Sequence, residues 1–216
     1  TLGDRLSSAR NPQAAAEIVV EVAGQLVGWD ACYLHLYGPD RKTVLPVINY
    51  DIIEGKRARV SGAYVDLSPS PMDLAVMQEG SKLILRDDSS DRFPMLIPFG
   101  DTSRPSASLL YVPIRNGADV IGVLSVQSYT PRAYDREDLE TLQALADHGA
   151  GALERIRAEE ALRESEHRFS RAFQATPVSI AISALATGRI VDVNDGFLRL
   201  FGFDREAVIG RTALEL

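Results

Sequence analysis

Few residues in this chain are equipped for chemistry. Its one cysteine, Cys32, and its three histidines, His35, His148 and His167, are the soft ligands and base candidates among 216 residues. A lone cysteine makes no internal disulfide and supplies neither a paired-thiolate metal clamp nor a two-thiol redox centre. His35 falls in the alternating run Ala31 to Tyr37, where Tyr33, His35 and Tyr37 share one face of a strand and Cys32, Leu34 and Leu36 take the other. That polar-aromatic face can stack a flat ligand or offer an imidazole to haem. It can equally be a sheet surface half covered by protein. His148 stands beside Gly149 and Gly151 in a helical pattern, the place of a packing or interface residue, and His167 lacks the surroundings of a phosphoacceptor helix. Asp87, Asp88, Asp91 and Asp101 gather in one irregular stretch, but not at the spacing of a calcium loop, and a solvated loop accounts for them. There is no local Ser-His-Asp signature and no Gly-rich phosphate loop. No metal site and no catalytic residue is expected.

The composition sets the frame for these residues. With 45% hydrophobic and 25% charged residues the chain has the make-up of a globular protein, which excludes wholesale disorder. A net charge of −7, from 23 basic and 30 acidic residues, argues against a nucleic-acid binder that works by global attraction. No apolar run approaches the roughly 18–20 residues of a membrane span, and the opening residues lack the apolar centre of a signal peptide. A cytoplasmic protein is the expectation. The length allows one large domain or one domain and part of another, at roughly 100–200 residues each.

The elements that must position the candidate residues follow from periodicity. Asn11-Pro12 begins an amphipathic helix through Ala15, Ile18, Val19, Val22 and Leu26, and Gly28 stands at its end. Ala31 to Tyr37 and Thr43 to Tyr50 read as an antiparallel hairpin across the turn residues 38–42. Residues 51–59 look charged and irregular, and Val60 to Leu67 is a candidate third strand. Ser70-Pro71 starts a small helix that Gly80 ends, and Lys82 to Arg86 is a short strand. Between Asp87 and Pro105 the pattern dissolves into a connection long enough to be functional or mobile. Ser108 to Arg115 and Asp119 to Tyr129 form a hairpin around Asn116-Gly117.

Asp135 then opens a helix of about 35 residues, too long to pack wholly on one small domain. Leu139, Leu142, Ala146, Gly149, Leu153 and Ile156 follow the 3-4-3-4 spacing of a coiled-coil seam, which predicts a parallel homodimer through Leu139–Ile156. Continued, that seam lands on Glu160 and Arg163, whereas the apolar stripe resumes at Ala158, Leu162 and Phe169. The phase slips there, as at a stutter, and two competing seams predict a bistable element. A monomer's closing helix covering its own sheet is the other reading. After Thr176-Pro177, Val178 to Ala184 and Arg189 to Val193 read as strands. Asn194 or Asp195 and then Asp204 can cap two short helices ending at Gly202 and near Gly210. A hairpin with two short helices is a small core, so this second domain is expected to be incomplete and weakly ordered after Pro177.

The element order over residues 5–157, and above all Ser108 to Ser128 (SLLYVPIRNGADVIGVLSVQS) with the helix after it, resembles the GAF sensory domain. The tail is similar to the amino-terminal half of a PAS domain through Pro177, Gly188-Arg189-Ile190, Val193-Asn194, Leu200 to Phe203, Arg205-Glu206 and Ile209-Gly210. The resemblance implies an α+β fold, with a GAF-type antiparallel sheet carrying helices on one face, a long C-terminal signalling helix and a partial PAS fold. The expected boundaries are 1–157 for GAF, 158–170 for a helical connector and 171–216 for the incomplete PAS domain. The half-open sheet face implies a pocket under residues 51–67 and 87–105, with Tyr33, His35, Tyr37, Tyr64, Phe93, Phe99 and Tyr111 as its candidate lining and the ligand unknown.

Known GAF chemistries can be tested against the residues. Bilin-binding members attach pigment through a Cys commonly followed by His, and Cys32 is followed by Tyr33. The cyclic-GMP subset carries an Asn-Lys…Phe…Asp-Glu signature, and this chain has neither dipeptide. Methionine-sulfoxide reductases of this fold use several cysteines. Catalysis near His35, Tyr64 and Tyr111 lacks a visible nucleophile. The resemblance therefore implies a sensory input that binds a small molecule or dimerises to bias an output domain in cis, foremost that of a sensor histidine kinase in a two-component system. The alternatives are a diguanylate cyclase or phosphodiesterase output, or a ligand-free dimerisation scaffold. Enzymatic activity is expected to lie outside residues 1–216, and no nucleic-acid partner is expected.

Overall fold

The computed structural model describes residues 1–60, 68–87 and 104–216, and the chain divides into two compact units, Thr1–Arg157 and Ala158–Leu216. The expectations placed on Tyr64, Phe93, Phe99, a strand over 60–67 and the acids Asp88, Asp91 and Asp101 fall wholly or largely outside the described residues.

The first unit opens with α1 (Leu2–Ser8), which the sequence reading missed. Thr1 caps it in a reciprocal box with Asp4. Helix α2 (Pro12–Leu26) begins where expected: the Asn11 side chain accepts from the Ala14 amide at 2.8 Å and Pro12 occupies the first turn. Its buried face is Ala15, Ala16, Val19, Val20 and Ala23. Strands β1 (Ala31–Tyr37) and β2 (Val44–Ile53) pair antiparallel. Residues 51–59 are not irregular: β2 continues to Ile53, turns at Glu54-Gly55 and returns as β3 (Lys56–Arg59). Both turn residues lie at positive φ, 52° and 77°, the backbone of a tight primed turn in which glycine costs nothing. Charged side chains on an edge hairpin concealed that strand from a reading based on apolar alternation.

Helix α3 (Pro71–Glu79), β4 (Lys82–Leu85), β5 (Ser108–Asn116), β6 (Asp119–Ser128) and the part of α4 (Arg136–Ala175) up to Arg157 complete the unit. The six strands form one antiparallel sheet in the order β3-β2-β1-β6-β5-β4. Helices α1, α2 and α4 contribute to one large core, where Leu34, Leu36, Leu110, Val112, Leu124 and Val126 point from the sheet. Helix α3 supplies Met72 and Val76 to a smaller cluster with Tyr33, Tyr37, Leu109, Tyr111 and Val123, side chains of the opposite sheet face.

The seam predicted for a dimer is spent within this unit. Leu142, Ala146, Leu153 and Ile156 are buried in the chain's own core, each at most 2% exposed, and Leu139 is half-buried against it. Burying the leucines and Ile156 is worth about 1.5–3 kcal/mol each, so they do not leave the sheet for a second copy. At Gly149 a Cβ would stand 2.8 Å from Val19 Cγ2, a measure of how closely α4 lies on α2. The helix runs through the expected phase slip without interruption, because the two stripes are two faces of one helix.

In the second unit β7 (Ala181–Ser183) pairs antiparallel with β8 (Ile190–Val193), followed by α5 (Asp195–Phe201) and α6 (Arg205–Val208). Asn194 caps α5, and Gly202 ends it in the left-handed region at φ 71°. Ile190, Val193 and Val208 are the buried centre of this unit, with Phe197, Leu198 and Phe203 packed around them.

Candidate ligand-binding face

Pleating decides what the second face of the sheet carries. The register aligns Asn49 with Tyr33, Tyr33 with Ser125 and Ser125 with Tyr111, a row across β2, β1, β6 and β5 whose side chains share one face. Tyr33, Asn49, Ser125 and Tyr111 are all buried. His35, two residues along β1, stacks on Tyr33 with ring centroids 4.2 Å apart, while Tyr111 meets Tyr33 edge-on at 6.2 Å. The His35 Nε2 lies 2.8 Å from Asn49 Oδ1, within reach for an Nε2–H to donate to the amide oxygen. Burial pushes the His35 pKa below its ordinary value of 6.5, and the Asn49 bond and the Asp73 charge oppose that only in part.

Asp73 enters this layer from α3. It is the third residue of the helix and only 4% exposed. Oδ2 accepts from the Ser70 amide at 2.9 Å, and Oδ1 accepts from the Tyr33 hydroxyl at a stretched 3.5 Å. Among the described residues the buried Tyr37 hydroxyl has no hydrogen-bond partner. Burial first and the Asp73 charge second hold that phenol protonated. A buried carboxylate, a buried phenol and stacked aromatic faces are thus gathered in one layer on this side of the sheet.

Of the residues named from the sequence, Tyr33, Tyr37 and Tyr111 share one buried cluster and His35 stacks on Tyr33, while Tyr64, Phe93 and Phe99 lie outside the described residues. The sequence reading missed Asp73, Asn49 and Ser125. Ser70-x-x-Asp73 is legible as a capping box, so the helix start that was recognised already held the signal for Asp73. Asn49 and Ser125 needed the strand register. Cys32 faces the helical core, fully buried, and burial pushes its thiol pKa up, the opposite of what thiolate chemistry requires. His148 is exposed and lines a groove of about 260 Å³ with Gly3, Leu6, Gly151 and Arg155. A larger groove of about 480 Å³ beside β4 contains none of the candidate pocket residues, and Gln143 is bonded there to Ser81 and Asp147. Among the described residues no cluster of His, Cys, Asp and Glu is placed to hold a metal ion, and no helix is long and apolar enough to cross a membrane.

A six-stranded antiparallel sheet with helices packed on it is an α+β architecture. The chain belongs to the GAF domain family: the family's profile matches residues 9–154, and a PAS domain profile matches residues 167–216. GAF and PAS domains are signalling sensor modules. Solved structures share the fold at low identity. The GAF domain of an Acinetobacter phosphoenolpyruvate-protein phosphotransferase is 19% identical with a TM-score of 0.57, over 73% of this chain and 90% of that one. Residues 122 to 287 of a methyl-accepting chemotaxis protein are 18% identical with a TM-score of 0.56, over 74% and 99%. The GAF domain of a candidate sensor histidine kinase from Pseudomonas syringae pv. tomato is 22% identical with a TM-score of 0.50, over 76% and 88%. No curated protein sequence matches this one at a significant level.

Proposed function

We propose that the chain is a sensory input module whose first unit binds a small molecule on the polar face of Tyr33, His35, Tyr37, Asp73 and Tyr111, and whose long helix carries the result to an output domain in cis. The observation that carries this reading is that, among the described residues, a buried carboxylate oxygen has only a stretched bond and a buried phenol has none. A packed core does not leave such groups unsatisfied without cost, about 1–3 kcal/mol for a buried polar group. A ligand bearing a hydrogen-bond donor, an amine or amide nitrogen, offsets that cost, and stacked rings favour a flat or cationic body. A sensor histidine kinase is the output put forward, with a diguanylate cyclase or phosphodiesterase as the alternative, and cytoplasmic location goes with either.

Native mass spectrometry of the purified chain tests the binding. A noncovalent mass that is retained by the chain and lost in Asp73→Ala is expected; a bare chain that no amine-bearing compound stabilises in thermal-shift screening would leave only a scaffold role.

The exposed part of α4 favours self-association as well, on a different surface from the one predicted. Ala158 to Ala172 is exposed at every residue, including Leu162 at 62% and Phe169 at 60%. A helical stretch of that length without tertiary cover is marginal in water, and Ala158, Leu162, Ser165, Phe169 and Ala172 follow a 4-3-4-3 seam that a second copy can cover.

A further inference from the structure

Asn194 is wholly buried at the start of α5. Its side-chain oxygen accepts from the amides of Phe197 and Ile180, each at 2.9 Å. The first bond is an ordinary helix cap. The side-chain nitrogen makes contacts that capping does not require: it donates to the main-chain oxygens of Phe173 at 3.1 Å, Thr176 at 3.1 Å and Val178 at 2.8 Å. An amide nitrogen carries two hydrogens, so one of them is shared between two carbonyls. Phe173 belongs to the last turn of α4, where carbonyls have no donor within the helix. One side chain thus ties the end of the long helix, the segment 176–180 and the start of α5.

Gln174, on the same turn, reinforces the tie. Its Oε1 accepts from the Asp195 amide at 3.0 Å and from Arg205 Nη2 at 3.2 Å, and Arg205 also pairs with Asp192. The segment lies tightly on α5: a Cβ at Gly196 would stand 2.7 Å from the Val178 oxygen and 3.0 Å from that of Pro177. Directional bonds at this density leave little room for twist, unlike a flexible linker. Asn194 and Arg205, which are among the residues that carry the PAS resemblance, are here parts of a clasp on a helix end.

We propose that Asn194 and Gln174 form a transmission joint that makes the last turn of α4 and the β8–α5 corner move as one body, so that a shift of the helix reaches β8 and α5 without slack. Asn194 is a positioning residue that acts through the helix it holds. Its distinguishing chemistry is donation, since Asn194→Asp keeps both acceptor bonds and sets a carboxylate oxygen against three carbonyls.

Amide hydrogen exchange on the whole chain tests this. In Asn194→Asp the amides of residues 173–176 are expected to exchange at least about tenfold faster, while Ala184 and Ile190 change by less than about threefold. Unaltered exchange at the helix end overturns the proposal. A coupling measurement separates transmission from mere stability. Leu162→Gly loosens α4 upstream and is expected to speed exchange at Phe197 about threefold or more in the native background, and to have no such effect beside Asn194→Asp. A response that persists in the double variant overturns the joint. Should Asn194→Asp unfold the second unit outright, Gln174→Ala decides: faster exchange at residues 173–176 and Asp195 with β7–β8 still protected supports the joint, and unchanged exchange there overturns it.

Discussion

His35 and Asp73 show how burial gives ordinary residues particular properties. His35 is neutral in the folded chain because desolvation lowers its pKa, while in the unfolded chain it titrates near 6.5. The unfolded state therefore binds more protons as pH falls below that value, and stability must decline from about pH 7 downward until the lowered folded pKa is passed. Urea unfolding at pH 7.5 and 5.5 should show this loss, and His35→Gln should remove that part of it; equal slopes in both proteins would exclude His35 as the source. Asp73→Ala should cost about 1 kcal/mol through the lost bond to the Ser70 amide, read as a lower urea midpoint at pH 7. Restoration of that midpoint by Asp73→Asn would assign the loss to the cap, and a ligand mass still absent in that variant would assign binding to the charge. The tyrosines and His35 were legible because alternation along one strand is a local property. Asp73 comes to them from a helix 36 residues farther along the chain than Tyr37, and no spacing rule reports such a meeting.

At the scale of the element, α4 carries two stripes with different partners. Leu153 faces the unit's own core, so Leu153→Ala should destabilise it by about 2–5 kcal/mol, seen as a lowered melting midpoint. Leu162, by contrast, is exposed and should tolerate Leu162→Asp with a change within about 0.5 kcal/mol. The consequence of that substitution belongs to association: light scattering should show the mass of a pair for the parent chain and of one copy for the variant. Equal masses would remove the self-association reading and leave the joint at Asn194 untouched. The helix start at Asp135, where the side chain accepts from the Glu137 and Asp138 amides, was readable from residue types. Which stripe is core and which is free was not, because an apolar residue at a heptad position carries the same signature against a sheet as against another helix.

Across the whole molecule the two units differ in how much they bury. The first has a continuous core from α1 to α4, whereas the second centres on Ile190, Val193 and Val208. Small cores are marginal, so heating should unfold the second unit first, in a separate calorimetric step. Val208→Asp should abolish that step and leave the other in place; a single transition lost as a whole would instead mean that the two units unfold together.

What the sequence determined alone is whatever depends on neighbours in the chain. Examples are the caps at Asn11 and Ser70, the alternation that sets Tyr33, His35 and Tyr37 on one face, the solitary cysteine and the order of elements that marks GAF and PAS. Tertiary structure decided the rest. It buried the predicted dimer seam, turned residues 51–59 into an edge hairpin, brought Asp73 and Asn49 to His35, and gave Asn194 three carbonyls to hold. Each depends on strand register or helix packing between distant segments, where the energy lies in contacts that no local pattern encodes.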